Sequence, residues 1–152
     1  MITVRRAIDA DRAAIARLHE ASVRQLAKPH YTAKQINSWI GALQPERYPL
    51  DTTFFVVALD GETVVGFGEY LDGSVNAVYV HPSHARRGVG RMLFDALEAE
   101  ALANGATSLS VTSSLNAVPF YEACGFIRDD ESTFTTRGGA AIPCWHLTKM
   151  LR

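Results

Sequence analysis

Two glycines, Gly88 and Gly90, stand at the mouth of a helical stretch in HPSHARRGVGRMLFDAL, residues 81–97, with Arg86 and Arg87 ahead of them and Arg91 just after. The first turn of a helix has N–H groups without intrahelical acceptors and a partial positive charge. Glycine lets a ligand approach those N–H groups closely, and arginine adds charge. The combination suits a phosphate or a diphosphate. It is not a P-loop, which would follow Gly90 with Lys and Ser or Thr, where Arg91 and Met92 stand. It is not a dinucleotide fingerprint either, because Leu93 occupies the place of the third glycine. A plain tight turn with solvated arginines would use the same residues. A second group able to do chemistry is Glu69 in VVGFGEYL. Strand alternation puts it on the face of Val65 and Phe67, where an apolar setting would raise its pKa towards that of a base working near neutrality. An edge-exposed charge is the alternative. Gly66 and Gly68 fall on the other face with Tyr70 and imply close approach of a backbone or a ligand.

These residues need elements to hold them. Residues 2–7 read as a strand, and Asp9 or Asp11 then caps a helix with Ala14, Ile15, Leu18, Ser22 or Val23 and Leu26 at helical spacing. Thr32 caps a second helix with the stripe Ile36, Trp39, Ile40 and Leu43. Phe54 to Leu59 is a continuous apolar run, as in a strand buried on both faces. Asp60-Gly61 and Asp72-Gly73 turn the chain into two more strands, 63–71 and 75–80. The glycine–arginine turn leads into a helix ending at Asn104-Gly105. A strand at 109–112, a short helix at 116–123 capped by Gly125, and extended segments near 126–134 and 141–149 complete the order. The strand–helix–strand unit over 75–112 implies a parallel pair, and the hairpins imply antiparallel neighbours. The expected fold class is α/β (α+β): a mixed, mostly antiparallel sheet of about six or seven strands flanked by about four helices.

The 152 residues fit a single domain, 1–152. A net charge of -1 gives no broad field toward nucleic acid or an anionic membrane, so neither is expected as a partner and any anion site must be local. The opening MITVRRAIDADRAA lacks the apolar run of a signal peptide, and no apolar stretch is long enough to span a bilayer. Cys124 and Cys144 make no metal-ligand spacing and suit reduced core positions, with a single disulfide as the alternative, so a cytoplasmic location and no metal are expected.

The stretch VYVHPSHARRGVGRML resembles the acyl-CoA-binding motif of the GNAT (GCN5-related) N-acetyltransferases, and SLNAVPFYEACGF, 114–126, resembles their second signature. The first strand and two helices match the acceptor side of that fold. Ala85 stands where the family usually has Arg or Gln, and Ser114 where many members have Asn. The resemblance implies a single acetyl-CoA-dependent N-acetyltransferase domain, acetylating a primary amine of a small molecule or peptide by direct attack in a ternary complex. A non-catalytic acyl-CoA-binding or regulatory domain is the alternative.

It further implies that main-chain N–H groups of Arg86, Arg87, Gly88, Val89, Gly90 and Arg91 hold the diphosphate of acetyl-CoA, with the arginines adding charge. The pantetheine arm would run along Val78, Tyr79 and Val80, beside a strand that splays away. Asn116 takes the amide role that Ser114 cannot supply, or caps the helix. Phe120 and Tyr121 point about a third of a turn apart, so one can pack inward while the other faces the ligand; Tyr121 is the candidate general acid for the departing thiolate, with a tyrosine stacked on the coenzyme or packed in the core as the alternative. An alkylamine with pKa near ~10.4 is about one part in a thousand neutral at pH 7, so a base is needed. Glu69 is the first candidate and His81 the second, with His84 expected to be exposed. The acceptor pocket would lie between the first two helices and the middle strands, with His30 and Tyr31 facing it and Trp39 in the core. A homodimer through the C-terminal strands is implied only by analogy with the family.

Overall fold

The computed structural model describes residues 1–151; Arg152, the last residue of the expected domain, lies outside the described residues. Strand β1 (Ile2–Arg6) leads into helices α1 (Arg12–Leu26) and α2 (Ala33–Gly41). Strands β2 (Phe54–Asp60), β3 (Thr63–Leu71) and β4 (Ser74–Val80) form a meander. Helix α3 (Val89–Ala103), β5 (Ser108–Ser114), α4 (Val118–Ala123), β6 (Ile127–Thr135) and β7 (Ala141–Met150) follow. The strands make one seven-stranded sheet in the order β1-β2-β3-β4-β5-β7-β6. Every neighbouring pair is antiparallel except β4 and β5.

The local chemistry explains the element ends. Thr32 caps α2 reciprocally: its Oγ1 accepts from the Gln35 N–H at 3.1 Å, and the Gln35 side chain accepts from the Thr32 N–H at 2.9 Å. Gly105 and Gly125, at φ 79° and 102°, stop α3 and α4 in the left-handed region that glycine tolerates. Before α1, the Asp11 carboxylate accepts the Ile8 N–H at 2.8 Å and the Arg5 guanidinium at 2.8 and 3.0 Å. This ties the first strand to the first helix.

Helices cover both faces of the sheet. On one face α3 and α4 bury Leu93, Phe94, Leu97, Val118 and Tyr121 against Val56, Ala58 and Val111. On the other, α1 buries Ile15 and Leu18 against Phe55, Val57 and Phe67. The alternation of β2 between these two clusters is why its sequence is apolar throughout.

Two extra residues displace the simple alternation. Ala58 pairs with Gly66 but Leu59 with Val64, so Val65 is a bulge residue. Glu69 pairs with Ala77 but Tyr70 with Val75, so Asn76 is extra in β4. The first bulge corrects the expected face of Glu69. Phe67 shares it, but Val65 is turned to the α3 side with Gly66. The closeness expected at Gly66 and Gly68 belongs to α3. A Cβ on Gly66 would lie 2.9 Å from Leu93 Cδ1 and 3.0 Å from the Tyr79 carbonyl oxygen, and one on Gly68 3.3 Å from Leu97 Cδ1.

The Arg5–Asp11 pair gives a pH-dependent prediction. Burial pushes the Asp11 carboxyl up, but the Arg5 hydrogen bonds, the Ile8 N–H and the Arg5 charge outweigh it and hold the group below its ordinary value. Its stabilisation is therefore fully present above the unfolded-state pKa and is lost as pH falls through the lower folded value. Asp11→Ala should cost about 1–3 kcal/mol near neutral pH. In urea unfolding followed by circular dichroism, the gap between wild type and variant should narrow as pH falls below the ordinary carboxylate range and through the lowered Asp11 value.

Candidate active site

The parallel pair β4–β5 is short. Its register holds at Ser74 with Ser110 and at Val75 with Val111, and then the strands part. Strand β5 instead stays with β7 along its whole length, from Ser108–Met150 to Ser114–Cys144. Beyond Val75, β4 therefore has a free edge inside the sheet. The His81 N–H donates to the Val65 carbonyl at 2.8 Å, so odd positions here point their main-chain groups to β3. Alternation then points those of Val78 and Val80 into the gap. Residues Ala77 to Val80 are half-buried there.

At the end of β4 the chain makes a one-turn 3-10 helix, Pro82–His84, capped by His81 through the Ser83 N–H at 3.1 Å. The Ser83 hydroxyl lies 2.8 Å from the Nδ1 atoms of both His81 and His84, and His84 Nε2 lies 3.0 Å from an Asp60 carboxylate oxygen. His84 was expected in solvent. It instead anchors the turn to the end of β2, and it holds the Asp60 carboxyl below its ordinary value. His81 is the cap of this chain of hydrogen bonds.

Arg86 and Gly88 then adopt φ 62° and 80°, and α3 begins. Successive residues of this kind aim their N–H groups at one side of a turn. The N–H of Met92 is the first to find a helical acceptor, Gly88 O at 3.1 Å. Among the described residues, none of the six N–H groups from Arg86 to Arg91 has a protein acceptor. Arg86 and Arg87 are exposed, whereas the Arg91 guanidinium bonds Asp95 at 3.0 Å and the Ala123 carbonyl at 3.4 Å. Arg91 thus offers its N–H to the turn while its charge is turned away and neutralised by Asp95.

Helix α4 closes the far side. A Cβ on Gly90 would lie 3.0 Å from Phe120 Cε1 and 3.6 Å from Val80 Cγ2, so the Phe120 ring sits between the start of α3 and the end of β4. Tyr121 is 4% exposed, with its ring 5.1 Å from that of Phe120 and 5.5 Å from that of Phe126. Burial first, and the nearby Tyr79 second, raise its phenol above the ordinary value. Asn116 is half-buried just before α4, and its Oδ1 is sealed from water without a partner.

On the α1 face, Glu69 is half-buried between Phe55 and Ala77 in register, and the Asn76 side chain donates to it at 3.3 Å. Burial raises its carboxyl. The residues expected at an acceptor are divided. His30 is exposed on the turn after α1. Tyr31 is buried, donating to the Pro143 carbonyl at 2.6 Å and accepting the Leu115 N–H at 2.8 Å. Its hydroxyl ties the α1–α2 turn to β7 and to the turn that follows β5. Trp39 is in the core as expected.

His19 and Tyr48 did not figure among the expected site residues. His19 is 8% exposed, with Nδ1 2.9 Å from the Tyr48 hydroxyl and its ring centroid 4.1 Å from that of Tyr79. Its Nε2 is buried without a partner, and burial lowers its pKa to about 3. The signal was available: position 19 follows Ile15 by four residues on the apolar face of α1. Among the described residues, no three His, Cys, Asp or Glu side chains gather in a way that could hold a metal ion.

A mixed sheet parted beside an unpaired main-chain turn is an arrangement able to hold an extended anionic ligand, and comparison with known proteins identifies the class. The family described as "Acetyltransferase (GNAT) domain" matches residues 27–144. The chain belongs to the GNAT acetyltransferases and is an acyltransferase. An Escherichia coli K12 protein named uncharacterized N-acetyltransferase YafP is 28% identical over 119 residues, 77% of this chain and 75% of that one. A crystal structure of a GCN5-related N-acetyltransferase from Rhodopseudomonas palustris superposes with a TM-score of 0.93 at 29% identity, covering 98% of this chain and 95% of the other. PaiA N-acetyltransferase from Thermoplasma acidophilum, solved in complex with coenzyme A, has the same fold, with a TM-score of 0.80, 20% identity and 99% of each chain covered.

The left-handed backbone at Gly88 carries a test. A Cβ there meets nothing within 4 Å, so the cost of a side chain is conformational. Gly88→Ala should lose about 1–2 kcal/mol and Gly88→Asn less, since Asn tolerates this region better. Denaturant midpoints of the two variants check the order.

Proposed function

We propose that residues 1–152 form an acetyl-CoA-dependent N-acetyltransferase domain whose acceptor is a primary amine, attacking directly in a ternary complex. The observation that carries this reading is the continuity of unpaired main chain, from the free edge of β4 into the six N–H groups of Arg86 to Arg91. An extended thioester ending in a diphosphate matches that run in length order and in charge. The coenzyme A complex of the Thermoplasma protein supports it from a chain of the same fold. The buried, unpaired Cys124 and Cys144 suit residence in the cytoplasm.

Acetyl-CoA, when bound, supplies an acetyl group activated as a thioester. The chain's part is to bind, to orient and to move protons. The N–H groups of Arg86, Arg87, Gly88, Val89, Gly90 and Arg91 hold the diphosphate, with charge added by Arg86 and Arg87. Arg91 contributes its amide, since its guanidinium is committed to Asp95. Val78 and Val80 offer N–H and C=O groups to the pantetheine arm as an added strand, with Tyr79 between them facing α1. A strand N–H polarises the acyl carbonyl. Phe120 packs beside the arm.

Tyr121 keeps its proton at Oη well beyond neutral pH, because burial disfavours the phenolate. It is the donor for the departing thiolate. Glu69 accepts the proton of the acceptor ammonium, directly or through water. Its raised pKa brings it closer to the working range of a base than an exposed carboxylate would be.

The first test is coenzyme A binding: at about a hundred times its dissociation constant it should stabilise the fold by about 2.7 kcal/mol. Thiol release from acetyl-CoA is then measured with amino acids, polyamines, aminoglycosides and peptides. Tyr121→Phe should cut kcat by about a hundredfold or more and leave coenzyme A affinity unchanged. For wild type, kcat/KM should rise with pH through a carboxyl pKa above the ordinary value, and Glu69→Gln should remove that limb. Binding without any amine-dependent thiol release would identify a non-catalytic acyl-CoA domain, and no stabilisation by coenzyme A would reject both readings.

A further inference from the structure

A groove of about 460 Å³ opens between α2, the segment that follows it, and the β6–β7 hairpin. Asn37, Ser38, Gln44, Arg47 and Arg137 line it, and among the described residues no carboxylate does. Among the described residues, no ion pair includes Arg47 or Arg137. Arg47 and Arg137 are both exposed, as Arg17 is, but these two line one concavity without a counter-charge, and an oxyanion seated there would meet both. A guanidinium also offers a planar fork of donors that fits carboxylate or phosphate, and the amides and the hydroxyl add further donors.

Both arginines stand on turns fixed by hydrogen bonds. The Arg47 turn is held by Arg12, whose guanidinium donates to the Pro45 carbonyl at 3.0 Å and the Tyr48 carbonyl at 2.7 Å. The hairpin carrying Arg137 is closed by the Thr136 N–H to Ala140 O and the Gly139 N–H to Thr136 O, each at 2.9 Å. It is fastened to α2 by the Ser38 and Thr136 hydroxyls, 2.5 Å apart. Gly138 permits that contact, since a Cβ there would fall 2.5 Å from Ser38 Oγ. The groove is thus built by two anchored walls.

Its position connects it to the transferase site. Tyr48, the neighbour of Arg47, bonds His19, and His19 packs on Tyr79 of β4. Glu69 lies on the same face of the sheet as Tyr79. We infer that the Arg47–Arg137 groove recognises an oxyanion group of the acceptor, so that the substrate class is an amine that also carries a carboxylate or a phosphate. This inference rests on the transferase reading above for the word acceptor; the anion site itself is tested without it.

The direct test uses the whole chain labelled with nitrogen-15 in the presence of excess coenzyme A, which keeps added anions from the Arg86–Arg91 turn. Acetate and inorganic phosphate are titrated separately while the arginine Nε–H resonances are followed. Those of Arg47 and Arg137 should move together and saturate, while that of the exposed Arg17 should not. Arg47→Gln should abolish the response of Arg137, and the reverse. Turnover is then compared within matched pairs, glycine against glycinamide and phosphoethanolamine against ethanolamine. In at least one pair the anionic member should have a kcat/KM tenfold or more above its neutral partner, and the ratio should fall toward one in R47Q/R137Q. Preference in the first pair assigns a carboxylate and in the second a phosphate. Silent Arg47 and Arg137 resonances, or a response no larger than that of Arg17, overturn the anion site. The titration reads the groove whether or not coenzyme A binds, so failure of coenzyme A binding counts against the transferase reading alone.

Discussion

Main-chain N–H and C=O groups within a fold need partners, and a strand that loses its neighbour leaves a row of them open. Strand β4 loses β5 after Val75 because β5 remains committed to β7 as far as Ser114. The Phe120 ring, lodged between Gly90 and Val80, occupies space that closure of the gap would require. A side chain at position 90 would compete with that ring. The glycine is thus a packing requirement in the first turn of α3, while Gly88 is a conformational one at φ 80°. The two glycines that look alike in sequence hold the parted edge in different ways.

The gap joins two faces with different chemistry. On the α3–α4 face the cluster around Leu93, Leu97, Val118 and Tyr121 is closely packed, and α3 lies on Gly66 and Gly68. On the α1–α2 face an aromatic layer runs through Phe55, Phe67 and Tyr79, with centroid spacings of 5.4 and 5.3 Å, and His19 caps it. The bulge at Val65 and the extra Asn76 in β4 determine which residues reach which face. Without the first, Val65 would join Phe67 and Glu69, and the α3 face would lose a core residue.

Much of this was legible because it is local. Thr32 with Gln35, Asp72-Gly73 and the glycines after α3 and α4 mark element ends by hydrogen bonding and backbone sterics confined to a few residues. The turn of open main chain before α3 was legible for the same reason. The bulges were not, since an extra residue in one strand shows only when its partner strand is laid beside it. Tyr31 and His84 were misjudged because their partners, Pro143, Leu115 and Asp60, lie far away in sequence. Arg91 shows the opposite failure. Its partner Asp95 is one helical turn away and the pairing is local, but Arg91 reads with the loop it follows rather than with the helix it belongs to.

That miscount bears on how a chain of net charge -1 creates local positive sites. Several basic side chains are matched by a carboxylate on a helix: Arg24 with Glu20 within α1, Arg91 with Asp95 within α3, Arg128 of β6 with Glu122 of α4, and Lys149 of β7 with Glu98 of α3. Each match removes a competitor for a diffusing anion, because a paired surface charge presents little field beyond its immediate surroundings. At the Arg86–Arg87 turn, the Asp60 carboxylate that feels the Arg87 charge is already bonded to His84, and at the Arg47–Arg137 groove no carboxylate among the described residues lines the wall. The positions where positive charge is left unmatched, rather than the total number of arginines, therefore set where an anion can settle. A change of net charge made by substituting the paired residues on α1, α3 and α4 would alter solubility more than recognition.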